Sequence, residues 1–297
     1  MLSILIPTYN FNCLPLVESL QLQAEQLGIT YEIIVIDDHS TTPPPENTQI
    51  STLPNCRYIE LPENIGRAKI RNMLAEKAQH ENLLFLDCDM RLPADDFLKR
   101  YSAFCNEGEM VICGGLRYAT QAPSDKRLYL HWLYGQQREI ISIKHRQRHP
   151  YHAFLSSNFF INKSLFNKIK FDEQLKKYGH EDSLFGIRLK ELNATILHID
   201  NPLIHIGLET SCRILEKERE SIANLVFIYQ HIIKEEALAQ EIKLLRYGLL
   251  AKKIGANKLI LSLFNLLQKP LLRNIESRRP NLLLLDFYKL GYLCKFL

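Results

Sequence analysis

The sequence lacks any apolar run long enough to cross a membrane, which takes about 20 residues. Residues 2–6 read as a β-strand, and the chain shows neither the basic start nor the long apolar core of a secretory signal peptide. We therefore expect a protein that is neither secreted nor an integral membrane protein.

Paired cysteines are also missing. The seven cysteines are odd in number and scattered, and no two of them are spaced as Cys-x-x-Cys. Neither a disulfide framework nor a zinc site is therefore predicted. Such a chain fits a reducing compartment, so we expect a cytoplasmic protein, either free or attached peripherally to the inner face of the membrane.

Acidic residues become scarce towards the end of the chain. In residues 242–297 eleven basic residues stand against two acidic ones, a net charge of +9, whereas the preceding residues carry a net charge of −5. Such a split indicates two different partners. The basic part also holds leucine clusters, which together favour an anionic membrane surface. Nucleic acid is not expected, because leucine rather than exposed aromatic residues and glycine separates the basic residues.

Strands and helices alternate along the first part of the chain. Short apolar runs at residues 3–7, 32–36, 57–61 and 83–86 have the length and composition of buried strands, with helical patterns between them. This alternation predicts an α/β protein with a mostly parallel sheet, in which the carboxyl ends of all four strands meet at one edge. Ligands of open α/β sheets bind at that edge.

Two carboxylates follow the fourth of these strands. Asp87 and Asp89 are two residues apart, so they project to the same side of an extended chain. A divalent cation could bridge them to a phosphate. Asp-x-Asp is a common triplet, however, and a solvated turn is the alternative on these residues alone.

A helix is predicted to open at Gly66, with Arg67 and Arg71 on one face. The free N–H groups of a helix N-terminus and two guanidinium groups together favour an anion such as a diphosphate. Two surface arginines on an amphipathic helix are the alternative, because no glycine-rich phosphate-binding pattern is present.

Four segments share the order and spacing of a known family. They are residues 4–10 (ILIPTYN), 34–40 (IVIDDHS), 64–72 (NIGRAKIRN) and 85–89 (FLDCD). Together they resemble the family 2 glycosyltransferases of the GT-A fold, a Rossmann-like sheet flanked by helices. His39 departs from the family pattern, which usually has glycine at this position.

The resemblance implies roles for individual residues. The nucleotide-sugar donor would be held by Pro7, Thr8, Tyr9, Asp38, Asn64, Gly66, Arg71, Asp87, Cys88 and Asn158. A Mn²⁺ or Mg²⁺ cofactor that bridges the diphosphate would be bound by Asp89 and by His205, which stands where many relatives have a metal-binding histidine. On its own pattern, His205 also fits a core histidine, as His198 does.

An acidic pair, Glu181 and Asp182, precedes apolar residues at helical spacing, which include Phe185, Leu189 and Leu192. Both carboxylates then lie at a helix start, where the helix dipole stabilises them, and on these residues alone an N-cap is the simpler interpretation. Residues 155–161, 171–173 and 178–189, the segments around this pair, resemble those of galactosyl- and N-acetylgalactosaminyltransferase domains. That resemblance implies that Asp182 is the general base, with Glu181 as the second catalytic candidate.

Two regions lie outside these motifs. Residues 117–150 are polar, basic and aromatic, and we expect a long loop that could cover the donor and end in a solvated charge run at residues 144–150. The resemblance ends near residue 210. The predicted domains are therefore a GT-A domain, residues 1–210, and a helical, basic C-terminal extension, residues 211–297, that packs on the catalytic domain or contacts the membrane.

The predicted function is metal-dependent transfer of a sugar, with inversion, from a nucleotide-diphosphate sugar to a glycan or lipid-linked acceptor; uridine is favoured by analogy. One alternative is a catalytically silent domain that binds nucleotide sugars as a scaffold. Another is a phosphatase of the haloacid dehalogenase type, whose nucleophile also lies in Asp-x-Asp. The phosphatase is disfavoured, because that motif normally ends the first strand and here it ends the fourth.

Overall fold

A computed structural model describes residues 1–105, 107–233 and 235–297, and the chain divides into two units. Residues 1–119, 139–176 and 184–207 form the first, which we call the sheet unit. Residues 120–138, 177–183 and 208–297 form the second, the helical unit. The last of these boundaries lies close to the predicted one at residue 210. The helical unit also takes in two earlier segments that the sequence did not separate from the first domain.

Apolar runs of alternating or continuous pattern give the strands of the sheet unit. They are β1 (Leu2–Thr8), β2 (Tyr31–Asp37), β3 (Cys56–Glu60), β4 (Asn82–Leu86), β5 (Met90–Arg91), β6 (Val111–Cys113), β7 (Leu116–Tyr118), β8 (Asn158–Asn162), β9 (Ile196–His198) and β10 (Leu203–His205). Seven of them form one sheet in the order β3-β2-β1-β4-β8-β6-β9.

The main sheet is parallel except at β8, which runs antiparallel to both β4 and β6. The prediction of a mostly parallel sheet is therefore confirmed, as is the convergence of the carboxyl ends of β1 to β4 at one edge. Because β8 is reversed, its first residue pairs with Leu86 and lies at this same edge. A second, three-stranded sheet has the order β5-β10-β7.

Helices account for most of the remaining chain. They are α1 (Leu14–Gln26), α2 (Arg67–Lys77), α3 (Phe97–Ser102), α4 (Tyr129–Tyr134), α5 (Ile143–Arg148), α6 (Lys163–Ile169), α7 (Glu181–Glu191), α8 (Ser211–His231), α9 (Glu235–Glu241), α10 (Lys243–Lys253), α11 (Asn257–Ile275) and α12 (Leu282–Leu293). The C-terminal extension is thus helical, as predicted. Across the described residues, no helix is both long and apolar enough to span a membrane.

The core of the sheet unit lies on both faces of the central strands, where β1 and β4 bury nearly all their side chains. One face carries a cluster of stacked phenylalanines in which Phe185 of α7 lies 4.5 Å from Phe171 between ring centroids. Phe185 and Leu189 are buried, as their helical spacing predicts, but Leu192 lies beyond the end of α7 and is exposed. Burial of each such side chain contributes about 2 kcal/mol.

The prediction of a long loop over residues 117–150 is wrong. This section contains β7, α4, α5 and a π-helical turn at Gly135–Glu139. Its charge run is not fully solvated either, because Arg146 is buried and donates hydrogen bonds to the carbonyl oxygens of Cys113 (3.1 Å), Gly114 (3.3 Å) and Ile199 (3.0 Å). A guanidinium group can be buried at such a place because backbone carbonyls replace its water.

Two glycines of the C-terminal helices have different roles. Gly255 has a φ of +72° and follows the end of α10. Gly248 instead lies inside α10 and is buried, where an added Cβ would lie 2.7 Å from Leu293 and Leu297. Its role is close helix packing rather than termination.

Candidate active site

Two arginines of α2 hold the first carboxylate of the Asp-x-Asp segment. Nη2 of Arg71 lies 2.6 Å from Oδ1 of Asp87, and Nη2 of Arg67 lies 3.8 Å from Oδ2. Arg71 is fully buried, whereas the side chain of Arg67 is 44% exposed. The N-terminus of α2 and the end of β4 therefore meet, and positive charge surrounds Asp87 at the edge where ligands of α/β sheets bind.

Asp38 shapes the start of α2. Its two carboxylate oxygens accept hydrogen bonds from the backbone N–H groups of Ile65 (2.7 Å) and Gly66 (3.0 Å), while Nδ2 of Asn64 donates to the Asp38 carbonyl at 2.8 Å. Burial raises the pKa of Asp38, and these two N–H donors oppose the rise. Gly66 has a φ of +84°, which only glycine adopts without strain. These residues thus form one interlocked turn.

The structure shows how histidine is accommodated at position 39, where the family usually has glycine. Its φ is +59°, in the left-handed region that favours glycine. The Nδ1 atom of its ring lies 3.2 Å from the carbonyl oxygen of Leu61, a contact that ties the strained position to the end of β3. A side chain at this position is therefore tolerated because it has a hydrogen-bonding partner.

The second carboxylate of the segment lies beside a histidine. Pairing of β5 with β10 sets Met90 opposite His205, and the Ile206 N–H donates to the Asp89 carbonyl at 2.9 Å. As a result, Nε2 of His205 lies 3.1 Å from Oδ2 of Asp89. Gly207 leaves the room for this, since an added Cβ would lie 2.5 Å from that oxygen. Two residues that are 116 positions apart in sequence thus meet.

The electrostatics of this pair favour positive charge. Burial lowers the pKa of His205, but the hydrogen bond and the charge of Asp89 outweigh burial, and the pKa is raised overall. Glu139 adds to this rise, and Tyr118 lies with its ring centroid 5.1 Å from that of His205 and donates a short hydrogen bond to Glu139. Sequence reasoning did not single out Tyr118 and Glu139, because both fall in the section predicted as a loop.

Asp89 and His205 fit a hard divalent cation. Their contacting atoms are 3.1 Å apart, close to the roughly 3 Å that separates adjacent ligands of an octahedral Mg²⁺. Within residues 1–105, 107–233 and 235–297, no three or more histidine, cysteine and acidic side chains are grouped so as to hold a metal. A metal at this pair would therefore take its other ligands from phosphate oxygens or water.

The remaining predicted donor residues surround the end of β1 and β4. Thr8 is buried and its hydroxyl donates to the Phe11 carbonyl at 3.2 Å, whereas Tyr9 is 46% exposed at the strand end. Pro7 lies within β1, one residue before Thr8. Burial raises the pKa of the Cys88 thiol well above its usual range, so this cysteine is neutral.

Asn158, for which a contact with the donor stays a prediction, makes its hydrogen bonds inside the sheet unit. It is 1% exposed, and its Nδ2 donates to the carbonyl oxygens of Gly115 (2.8 Å) and Asn201 (2.9 Å). Its Oδ1 accepts from the Tyr101 hydroxyl at 2.7 Å. Both amide protons and the amide oxygen are thus used inside the sheet unit. The residue fastens β8 to the turns that lead into β7 and β10.

Glu181 and Asp182 form the first turn of α7, as predicted, and belong to residues 177–183 of the helical unit. Helix α8 fastens this segment: Nδ2 of Asn224 donates to the carbonyl oxygens of Lys177 (2.6 Å) and Gly179 (3.0 Å). Glu181 is buried. Nothing in the sequence marked Asn224, because it lies 45 residues from Gly179 in an otherwise regular helix.

Two histidines differ from the rest in their surroundings. His180, beside the acidic pair, has a φ of +68°, and burial together with the charge of Lys289 lowers its pKa to about 4. His198 is buried, with its Nε2 2.9 Å from the Pro150 carbonyl oxygen and its Nδ1 3.2 Å from Nη1 of Arg146. Since arginine only donates, Nδ1 accepts and Nε2 donates, which leaves His198 neutral and in a structural position.

The sheet unit, with its strand ends around an Asp-x-Asp segment, has the GT-A fold. S. aureus TarS residues 1–349, solved in complex with UDP, has a similar fold: it is 20% identical with a TM-score of 0.54, covering 97% of this chain and 89% of that one. The mannosyltransferase PcManGT from Pyrobaculum calidifontis, in complex with GDP-Man and Mn²⁺, is 14% identical with a TM-score of 0.53, covering 99% and 86%.

The model of the family "Glycosyl transferase family 2" matches residues 3–170, more than half of the chain. The chain belongs to this family and is a glycosyltransferase, which sets aside the phosphatase alternative. The glycosyltransferase YfnE of Bacillus subtilis is 22% identical over 282 residues, 77% of this chain and 71% of the relative. A glycosyltransferase of Haemophilus influenzae is 31% identical over 155 residues, 48% of this chain and 61% of the relative.

Proposed function

We propose that this glycosyltransferase moves a sugar, with inversion, from a nucleotide-diphosphate sugar to a hydroxyl of a glycan or lipid-linked acceptor, in a metal-dependent reaction. One observation carries the proposal: at the sheet edge, Asp87 lies against Arg67 and Arg71 while Asp89 lies against His205. Carboxylates would repel a diphosphate, so this arrangement suits a donor whose charge is met by guanidinium groups and by a cation.

The donor class rests on the fold neighbours as well as on the site. TarS is known in complex with UDP and with UDP-GlcNAc, and PcManGT in complex with GDP-Man and Mn²⁺. All three ligands are nucleoside diphosphates or their sugars. We favour a UDP-linked sugar. Its nucleotide base would contact Pro7 and Tyr9 at the end of β1 and Asp38 at the end of β2.

The metal would be held by Asp89 and His205, as either Mn²⁺ or Mg²⁺. When bound, it would neutralise charge that develops on the diphosphate as the bond to the sugar breaks. Arg67 and Arg71 supply fixed positive charge to the same group and hold Asp87 in place. The buried guanidinium group of Arg71 is already fixed in place, which is the condition for effective electrostatic stabilisation.

Asp182 is the proposed general base. In an inverting transfer the acceptor oxygen bonds to the anomeric carbon as the bond to the diphosphate oxygen breaks, and the acceptor hydroxyl gives up its proton. The base must stand on the side opposite the leaving group. Asp87 and Asp89 are assigned to the leaving-group side, so the proton goes to Asp182 and the nucleoside diphosphate departs with the electron pair.

Calorimetry of donor binding tests the proposal. UDP, UDP-GlcNAc and GDP-Man are titrated into the full chain with Mn²⁺ and again after chelation. We expect one of them to bind with Mn²⁺ and to lose at least about tenfold in affinity on chelation, since a charge-bridging cation is removed. Asp89→Asn should lose the metal effect, whereas the exposed Asp95→Asn should keep it. Equal binding with and without metal would leave Arg67 and Arg71 as the neutralising groups and refute metal dependence.

A transfer assay with the same donors completes the test. The anomeric configuration of the product, read by NMR, should be opposite to that of the donor. Retained configuration would contradict the role of a single base. Donor binding without any transfer to glycan or lipid-linked acceptors would favour the scaffold alternative.

A further inference from the structure

One stretch of the helical unit combines basic and apolar surface. Residues 242–275 contain seven basic residues and no acidic one. All seven are exposed: Lys243, Arg246, Lys252, Lys253, Lys258, Lys269 and Arg273. The same stretch holds seven of the sixteen large apolar side chains that the described residues expose most. No acidic residue within this stretch compensates its positive charge.

Helix α11 is apolar on two opposite faces. The inward face buries Phe264, Leu271 and Ile275 in the core of the helical unit. The outward face carries Leu259 (63% exposed), Leu263 (41%), Leu266 (76%) and Leu267 (40%) at the spacing of one helical stripe. A helix of a water-soluble surface normally presents polar residues there. The outward leucines therefore form an exposed apolar strip.

Helix α10 shows the same arrangement over a shorter length. Its inward face buries Leu245, Gly248 and Ala251. Its outward side chains are Tyr247 (53% exposed) and Leu250 (50%), and Ile254 (69%) follows at its end. The turn that joins the two helices is flanked by exposed lysines, Lys252 and Lys253 at the end of α10 and Lys258 at the start of α11. Together, the outward apolar residues of α10 and α11 and the seven basic residues form what we call the basic leucine surface.

We propose that the basic leucine surface binds a bilayer that contains anionic phospholipids, with the leucines in the interfacial region and the basic residues at the headgroups. Apolar burial and attraction to anionic lipid are the two signals that stable interfacial binding requires. The binding is peripheral, because a helix able to span a membrane is missing from the residues that the structure describes. This inference does not depend on the donor, the metal or the base.

Charge decides against a second copy of the chain as the occupant. A twofold symmetric dimer sets the same patch on both partners, so seven exposed basic residues would face seven others with no acid from this stretch between them. Like charges in such an interface are repulsive. An anionic bilayer instead presents negatively charged headgroups to the basic residues. Its apolar acyl chains begin just below the headgroups, where the leucine side chains can contact them.

Vesicle co-sedimentation of the full chain tests the proposal. The probes are vesicles of phosphatidylcholine alone and of phosphatidylcholine mixed with phosphatidylglycerol, at low and high salt. We expect binding to the anionic vesicles, reduced by salt. The variant Leu259→Gln, Leu263→Gln, Leu266→Gln should lose on the order of tenfold in partitioning per leucine. The variant Lys258→Gln, Lys269→Gln, Arg273→Gln should lose about fivefold per charge.

The matched control changes exposed leucines elsewhere: Leu22→Gln, Leu192→Gln and Leu283→Gln. It should bind vesicles as the parent does, and circular dichroism of all variants verifies their folding. Binding that is equal in the parent and the α11 leucine variant would overturn the proposal. So would a parent that ignores anionic vesicles, and in that case sedimentation velocity that shows a dimer only with the leucines intact would assign the surface to self-association.

Discussion

The sheet unit and the helical unit hold their site residues in different ways. In the sheet unit, Asp87 and Asp89 follow a buried strand, and each carboxylate has a cationic or ionisable partner, Arg71 or His205. In the helical unit, the segment of Glu181 and Asp182 is tied to α8 through backbone carbonyls that Asn224 bonds. One set is positioned by a sheet and ion pairs, and the other by helix packing and one amide.

This difference leads us to expect that donor binding and proton removal can be disturbed separately. A change at Asp89 alters charge at the place proposed for the diphosphate, whereas a change at Asp182 removes the proposed base. Kinetics distinguish the two, because a lost interaction of the transition state lowers kcat, whereas lost ground-state binding raises KM. The predictions below test this separation, beginning with the largest effect.

The variant Asp182→Asn should show the largest effect. It keeps the shape of the side chain and removes the proton acceptor, so turnover should fall by roughly 10²–10⁴. Donor affinity, measured by calorimetry with Mn²⁺, should stay close to that of the parent. Glu181→Gln serves as the neighbouring comparison, with a smaller loss expected.

Two outcomes would contradict this prediction. If Asp182→Asn transfers sugar at the parental rate, Glu181 becomes the candidate. If it loses donor binding in the same measure as turnover, the two units do not separate the functions, and the comparison itself is wrong.

The variant Asn224→Ala sharpens the comparison inside the helical unit. It removes the donors to the carbonyl oxygens of Lys177 and Gly179 and loosens the segment that carries Asp182. Because misplacement of a catalytic group is costly, kcat should fall on the order of tenfold while the donor dissociation constant is unchanged. Gln230→Ala, an exposed change on the same helix, should leave kcat alone. A change in donor affinity instead would show that Asn224 acts on the donor side.

The sequence pattern predicted the sheet edge because short segments of the chain determine most of its structure. Continuous apolar runs fix β1, β2 and β4, parallel connection brings their ends together, and Gly66 with Arg71 follows from the geometry of a helix start. The sequence also showed that His39 departs from the family pattern. Only the structure shows that this position has a φ of +59°, which favours glycine, and that the His39 ring contacts the Leu61 carbonyl oxygen.

The contacts that the sequence pattern does not show join distant segments. Arg146 lies in a charge run that was predicted to be solvated, yet it donates to carbonyls 33 and 53 positions away. Asn158 was singled out as a donor residue, and its hydrogen bonds to the turns before β7 and β10 follow only from the folded sheet unit. The resemblance implied a shared metal for Asp89 and His205, but the two-residue strand β5 that brings them together is too short to leave a pattern.

The smallest predicted effect is a pH dependence of stability that His180 gives the helical unit. Its pKa is lowered from 6.5 to about 4 in the folded chain, by burial first and then by the charge of Lys289. The unfolded chain therefore binds more protons between these values, and stability falls as pH falls through that window. Since the side chain keeps some exposure, we expect a loss of about 1 kcal/mol in unfolding free energy between about pH 7 and pH 5.

The variant His180→Asn isolates this contribution, because asparagine tolerates a positive φ and does not titrate in this range. Urea unfolding at several pH values should give a flatter profile for His180→Asn than for the parent. His231→Asn, a change at an exposed histidine of α8, should keep the parental slope. A parental slope in His180→Asn as well would mean that other groups set the acid sensitivity, and that His180 takes its proton in the folded chain as easily as in the unfolded one.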